Sequence, residues 1–364
     1  MSVGLIKSNR WMVSTIICCV LVVAILLSAG VALANGQANI TLGEVYQILF
    51  YKISHGLVGD LSGISDANIN IVWFVRAPRV LLSIFVGMGL AISGAVMQAV
   101  VQNPLADPYI LGISSGASLG ATFAILVGFG GSALVLQLGL SFGAFAGAGI
   151  ATILVLLLAS IGGKMTSTKL VLSGTIVSAL CSSVSNLIIY LASNAEGMKT
   201  VAFWSMGSLA SASWNKLGFI VVLVSLITLF FLTQYRVLNT LLLGDEVAST
   251  LGVKLTFYRR FYMLLAALLT SIIVANSGMI GFVGLIIPHI VRGVSGSDHR
   301  LLMPLTALTG ALFLIWADVI ARSTLQGVEL PIGIITALIG APIFIYIIVK
   351  RQYNFGGGRN EISS

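Results

Sequence analysis

Charge is what this chain most lacks. Of its 364 residues only 8% are Asp, Glu, Lys or Arg, while 58% are hydrophobic; ordinary soluble domains carry roughly 25% charged residues. So few ionic groups cannot coat a water-soluble surface, and the +8 net charge is too dispersed to make a nucleic-acid-binding face. Cysteine is scarce too: Cys18, Cys19 and Cys181 all lie in apolar runs, and neighbours such as Cys18 and Cys19 do not readily bridge within a helix. No disulfide framework or metal site follows. His55 and His299 fall in loops without metal-ligand spacing. A phosphate-binding loop is missing, since its nearest approach, Gly162-Gly163-Lys164-Met165, has Met where a hydroxyl must meet magnesium. The chain is therefore expected to hydrolyse no nucleotide. Acids inside apolar runs are nearly absent: of eleven, only Asp318 lies well within one, four residues before Arg322, a ready i,i+4 partner. Proton-driven carriers usually need an unpaired intramembrane acid, so secondary transport is disfavoured.

What is present is a series of apolar runs, at 11–34, 80–101, 111–130, 134–160, 169–192, 217–234, 258–276, 278–294, 302–321 and 332–349. A span needs about 17 to 25 residues, and the pattern predicts an all-α, polytopic membrane protein with about ten transmembrane helices. The seventh and eighth runs are continuous and are divided at Asn276-Ser277-Gly278, because one helix would overreach the bilayer. Gly is 40 of 364 residues, above the usual ~7%, as expected where helices pack backbone to backbone. With the amino terminus inside, thirteen of the nineteen Lys and Arg fall on the cytoplasmic side and six outside, which places both termini in the cytoplasm. The first run ends Val31-Ala32-Leu33-Ala34 like a signal-peptide cleavage site, but its 24 residues exceed the roughly 7 to 15 of a signal core. It is taken as an uncleaved span. The expected organisation is one transmembrane domain over 1–364, with an inner tail 1–10, an outer segment 35–75 carrying a short helix near Leu42–Leu57, an inner loop 237–257 and an inner tail 350–364.

Several polar positions stand out against this background. Arg76 and Arg79 flank Pro78 in what fits a first helical turn, so both are expected to project from the outer mouth, where Arg322 also ends its span. Snorkelling helix anchors are the alternative for any isolated Arg. Thr175, Ser178, Ser182 and Ser185, with Asn186 beside them, form a stripe along the fifth span, either packing against a neighbour or lining a pathway. The inner loop Leu243 to Val253 reads as a short helix: Gly244 allows a sharp entry, Asp245 and Glu246 suit a helix start, and Gly252 can end it.

Three longer stretches carry a likeness. They are Arg76-Ala77-Pro78-Arg79 with Asn103-Pro104-Leu105-Ala106-Asp107-Pro108 and Gly112-Ile113-Ser114-Ser115-Gly116-Ala117; Gly278 to His289; and Glu329-Leu330-Pro331-Ile332-Gly333 with Thr336, Gly340, Pro342 and Phe344. The chain resembles, over roughly Trp11 to Arg351, the permeases of binding-protein-dependent ABC importers for iron chelates, haem or cobalamin. The resemblance implies that Arg76, Arg79 and Arg322 dock acidic residues of a substrate-binding protein, and that Gly244, Asp245, Glu246, Ala248, Leu251 and Gly252 belong to a helix seated in the partner ATPase. It implies that Thr166-Ser167-Thr168 is the cytoplasmic gate, with Ser167 and Thr168 narrowing it. His289 belongs to the Pro288-His289 motif found across cargo classes and is not expected to ligate haem.

The expectation is thus the membrane subunit of an importer in a prokaryotic inner membrane, paired with a second, identical copy. Two ATPase subunits carry ATP and Mg2+, this chain binds no cofactor, and the binding protein holds the cargo. That cargo is expected to be an iron(III)-siderophore complex, with haem or cobalamin as the alternative, and an ion-coupled secondary transporter is the contrasting class.

Overall fold

The computed structural model describes residues 2–128, 133–163, 165–243, 255–325 and 327–350. It is 81% helical, because a chain immersed in hydrocarbon must satisfy its backbone polar groups within each segment. Helix α1 (Ser2–Ala34) leads to α2 (Leu42–Ile53), whose start is fixed by a reciprocal capping box between Thr41 and Glu44. Hydrogen bonds from the Thr41 backbone and hydroxyl hold the Glu44 carboxyl below its usual range. A short helix, Asp66–Asn70, runs through a π-turn, Ile71–Arg76, into α3 (Ala77–Val101). Pro78 sits in the first turn of α3, where its missing N–H has no partner to lose.

After a 3-10 turn, Pro108–Leu111, and Gly112 at φ 71°, the chain forms α4 (Ile113–Thr122), which continues as a π-turn over Phe123–Val127. Next come α5 (Ala133–Ser160), α6 (Ser167–Leu191), α7 (Ala195–Ser205), α8 (Trp214–Thr233) and α9 (Tyr235–Leu242). The remainder is α10 (Leu255–Ser277), α11 (Val283–Ser295), α12 (His299–Ser323) and α13 (Ile332–Lys350).

Among the described residues, eight helical segments are long and apolar enough to cross a membrane, and Ile113–Val127 and Val283–Ser295 are shorter apolar helices. These ten elements match the ten expected runs, but the two short ones fall below the ~20 residues of a full crossing. The expected break after Ser277 is real. Gly278 takes φ 66° and Phe282 φ 69°, and the segment between α10 and α11 is non-helical.

Helix α3 is the centre of the bundle: it touches α8, α10, α11 and α12, and most of its residues are buried. Such close approach depends on missing side chains. A methyl group on Gly94 would collide with the Gly284 backbone of α11, and one on Gly87 with the Gly310 carbonyl of α12, the small-residue packing typical of membrane helices. A second apolar cluster ties α1 to the outer-segment helix, with Ile25 and Leu33 packed with Val45 and Ile48 of α2 and Ile315 of α12.

Candidate functional site

The end of the bundle where α3 begins and α12 finishes holds a cluster of five ionic side chains. Arg79 donates through Nε to Asp318 Oδ1 at 2.8 Å and through Nη1 to Glu329 Oε2 at 2.7 Å. The other oxygen of Asp318 lies 3.2 Å from Arg322 Nε, so one carboxylate serves two guanidinium groups. Arg322 also donates to the carbonyls of Ala32 and, at 2.7 Å, Asn35. Arg76 donates to Leu33 and Ala34 at 2.8 and 2.7 Å and to Ala38 at 2.8 Å. Helix α1 ends at Ala34, and the last carbonyls of a helix have no partner of their own and carry its negative dipole end. The two arginines supply donors and positive charge together.

This arrangement corrects the expectation that the three arginines project from a mouth. Arg76, Arg79 and Arg322 are 5%, 5% and 4% exposed, turned inward because uncapped helix carbonyls and a shared carboxylate lie on that side. The i,i+4 pairing of Asp318 with Arg322 is as expected. The role of Glu329 was missed, although it stands at the head of the Glu329-Leu330-Pro331 stretch; its side chain is 44% exposed.

A second locus gathers the three sequence signatures. Ser208 donates its N–H to the Ser277 carbonyl, Ile332 to Gly207 and Gly333 to Met206. The break at 278–282 thereby lies against the turn after α7 and the start of α13. From the first signature, the Tyr109 hydroxyl donates to the Ile280 carbonyl at 3.0 Å, and Ser114 Oγ lies 2.6 Å from Met279 Sδ. Gly207, Gly278 and Gly333 all approach neighbouring backbone too closely for a side chain. This junction was not anticipated, since its contacts join residues up to 171 positions apart.

The other expected positions separate. At the opposite end, Thr166 caps α6 by accepting from the Lys169 N–H at 3.3 Å. Ser167 is half-buried and joins Gln102, Met165 and Arg259 around a cavity of about 240 Å3. Thr168 is exposed and lies outside that lining. The polar stripe divides: Ser185 is buried and shares a 2.9 Å hydrogen bond with Thr122, whereas Thr175 and Ser182 are exposed and Ser178 is half-buried. Thr175 donates to the Val171 carbonyl one turn back. Asn186 is also exposed. Gly244, Asp245, Glu246, Ala248, Leu251 and Gly252 lie outside the described residues. His289 is buried within α11, and His299 Nδ1 is 2.8 Å from Asn239 Oδ1. Among the described residues, no three His, Cys, Asp or Glu side chains gather as a metal site would require.

Against known proteins, residues 9–350 match the FecCD transport family. A cobalamin import system permease protein, BtuC, of Halobacterium salinarum is 41% identical over 290 residues, covering 80% of this chain and 76% of that one. The vitamin B12 import system permease protein BtuC of Citrobacter koseri is 39% identical over 284 residues, covering 77% and 83%. A solved structure described as an inward-facing conformation of a metal-chelate type ABC transporter superposes with a TM-score of 0.77 at 34% identity, covering 92% of this chain and 99% of that one.

Proposed function

The chain belongs to the FecCD transport family and is a permease subunit of an ABC importer, a multi-pass protein of a prokaryotic inner membrane; from that premise we propose that it passes a bulky metal chelate across that membrane. The family implies an ATPase, a substrate-binding partner and a paired permease. In our reading the second permease is an identical copy, each copy meets one of two ATPase subunits inside, and the binding protein meets the pair outside. ATP and Mg2+ act on the ATPase, and this chain binds no cofactor. Both termini lie in the cytoplasm, so the arginine cluster marks the outer end and Ser167 the inner.

The route runs between the two copies. What supports this is the face of α6: Thr175, Ser182 and Asn186 stand exposed on it beside Ile176 and Leu187, left open by the helices among the described residues. A mixed polar and apolar wall of this kind suits a large cargo that must be guided and not held. Ser167 narrows the inner end, and docking of the binding protein takes place around the outer cluster, whose arginines shape the surface.

For the cargo, our first reading is an iron(III)-siderophore complex, carried over from the family resemblance. Cobalamin is a second reading, favoured by the 41% and 39% identity to cobalamin permeases. An ion-coupled carrier is disfavoured because Asp318 is engaged by two arginines. The test is uptake into proteoliposomes holding the permease, its ATPase and its binding protein, with labelled iron-siderophore, cobalamin and haem supplied in parallel. ATP-dependent accumulation of one chelate identifies the cargo. Uptake that follows an ion gradient without ATP overturns the proposal.

A further inference from the structure

Away from the arginine cluster and from α6, a groove runs between α5, α8 and α10. Its floor is apolar, with a cavity of about 500 Å3 that includes Phe142, Phe219 and Ile272. Phe142 and Phe219 are 64% and 66% exposed, so the floor opens outward to the membrane. A second cavity of about 220 Å3 continues it and shares Ser141, Lys216, Ala275 and Asn276, adding the hydroxyl-bearing Ser208 and Ser211. Among the described residues, neither lining contains an acidic side chain.

The position along the membrane normal is set by aromatic side chains. Trp214, two residues before Lys216, donates its indole N–H to the Trp73 carbonyl at 2.8 Å, and the two rings lie 5.0 Å apart. Tryptophans collect at headgroup level, which puts the Lys216 ammonium among lipid phosphates. From Asn276 down to Leu268 on α10 the apolar part extends eight residues, about 12 Å at ~1.5 Å per residue, against about 15 Å for one leaflet. The groove thus has a cationic, hydroxyl- and amide-lined head and an apolar trough of nearly one leaflet's depth.

We propose that this groove is a binding site for an anionic glycerophospholipid, with the phosphate against Lys216 and Asn276 and one acyl chain along Phe142, Phe219 and Ile272. Among the described lining residues Lys216 is the single cation and none is a carboxylate, which selects an anionic over a zwitterionic headgroup. By bridging three helices, the bound lipid links α8 to the α10 end that leads into the 278–282 junction.

The test uses the full-length permease in nanodiscs of mixed phosphatidylglycerol and phosphatidylcholine. Native mass spectrometry counts retained lipid, and a photoactivatable phosphatidylglycerol is mapped by peptide sequencing. Wild type and Lys216→Arg are expected to retain phosphatidylglycerol in preference to phosphatidylcholine, with crosslinks within 141–145, 215–223 and 268–276. Lys216→Gln is expected to lose about fivefold in that preference, and Ile272→Trp, which fills the trough, to lose crosslinking. Equal retention of the two lipids by wild type, an unchanged preference in Lys216→Gln, crosslinks confined to other helices, or capture of a protein in place of lipid each overturns the proposal. The wild-type comparison and crosslink map need no variant, so misfolding of a mutant leaves the test intact.

Discussion

Arg79 and Asp318, 239 positions apart in sequence, meet at 2.8 Å with side chains only 6% and 2% exposed. Their pairing fastens the start of α3 to the end of α12. Removing one member of a buried ionic cluster costs more than the pair contributes, because the remaining charge is left desolvated. The cluster is asymmetric: both arginines on Asp318 are buried, whereas one of the two acids on Arg79, Glu329, is half-exposed and can be solvated without it. Asp318→Leu, which strips a carboxylate from both Arg79 and Arg322, is expected to cost about 3–5 kcal/mol. Arg79→Met leaves Asp318 its contact with Arg322 and should cost less. Thermal unfolding in detergent, followed by the monodisperse fraction, checks the order; a milder effect from Asp318→Leu would contradict it.

Helix contacts make a sharper contrast between two glycines. At Gly94 any side chain meets the Gly284 backbone, whereas at Gly218 in α8 nothing lies within 4 Å. Gly94→Leu is therefore expected to destabilise by at least the ~1–3 kcal/mol of an overpacked core. Gly218→Ala should be neutral or stabilise by up to about 1 kcal/mol, the helix-propensity difference. Expression level and unfolding midpoint of both variants decide it, and equal behaviour would refute the packing argument.

These cases also mark what the sequence could disclose. Hydropathy located the helices because each span is a local run, and the charge-free stretch through Ser277 was too long for one crossing. Asp318 with Arg322 was legible because four positions make one helical turn. Arg79 with Asp318 was not, since nothing local records a contact between helices 239 positions apart. The inward turn of Arg76 was hidden for a related reason: its partners are backbone carbonyls, which every sequence has and no sequence marks. The stripe on α6 had the right period, yet Ser185 turned to Thr122 because helix periodicity fixes a face without saying which neighbour covers it.

Energy supply gives a third expectation. Met165 follows Gly162-Gly163-Lys164 where a P-loop needs a hydroxyl, so the purified chain should hydrolyse no ATP until the ATPase subunit is added. Phosphate release by the chain alone, unaffected by inactivating mutations in the ATPase, would refute this.

The inner loop supplies a fourth. If Leu251 seats in the ATPase, Leu251→Glu places a charge in an apolar contact, and transport should fall while basal ATP hydrolysis persists. Comparing uptake with phosphate release in the reconstituted complex separates uncoupling from misassembly. Normal uptake by a correctly assembled variant would move the coupling contact elsewhere in the loop.

The final prediction concerns docking at the outer end. Exposed rim charges at an interface are screened within a Debye length of about 8 Å at physiological salt, whereas buried pairs are screened far less. With Arg76, Arg79 and Arg322 committed to internal acceptors, reversing Arg76 and Arg79 to Glu together should first reduce the amount of folded permease. Glu329, the half-exposed member of the cluster, allows a gentler probe. Glu329→Gln removes a surface charge and leaves Asp318 to hold Arg79, so the permease should fold, and any change in binding-protein affinity then reports on docking alone. If the arginines meet the binding protein directly, they must leave their carbonyls, and wild-type affinity should fall as salt rises. If they shape the surface from beneath, affinity should be nearly independent of salt and Glu329→Gln should change it by less than about fivefold, the ~1 kcal/mol scale of an exposed pair. Affinity measured in nanodiscs between low and high salt separates the two, and a steep salt dependence together with a well-folded Arg76→Glu, Arg79→Glu permease would overturn the buried-cluster account.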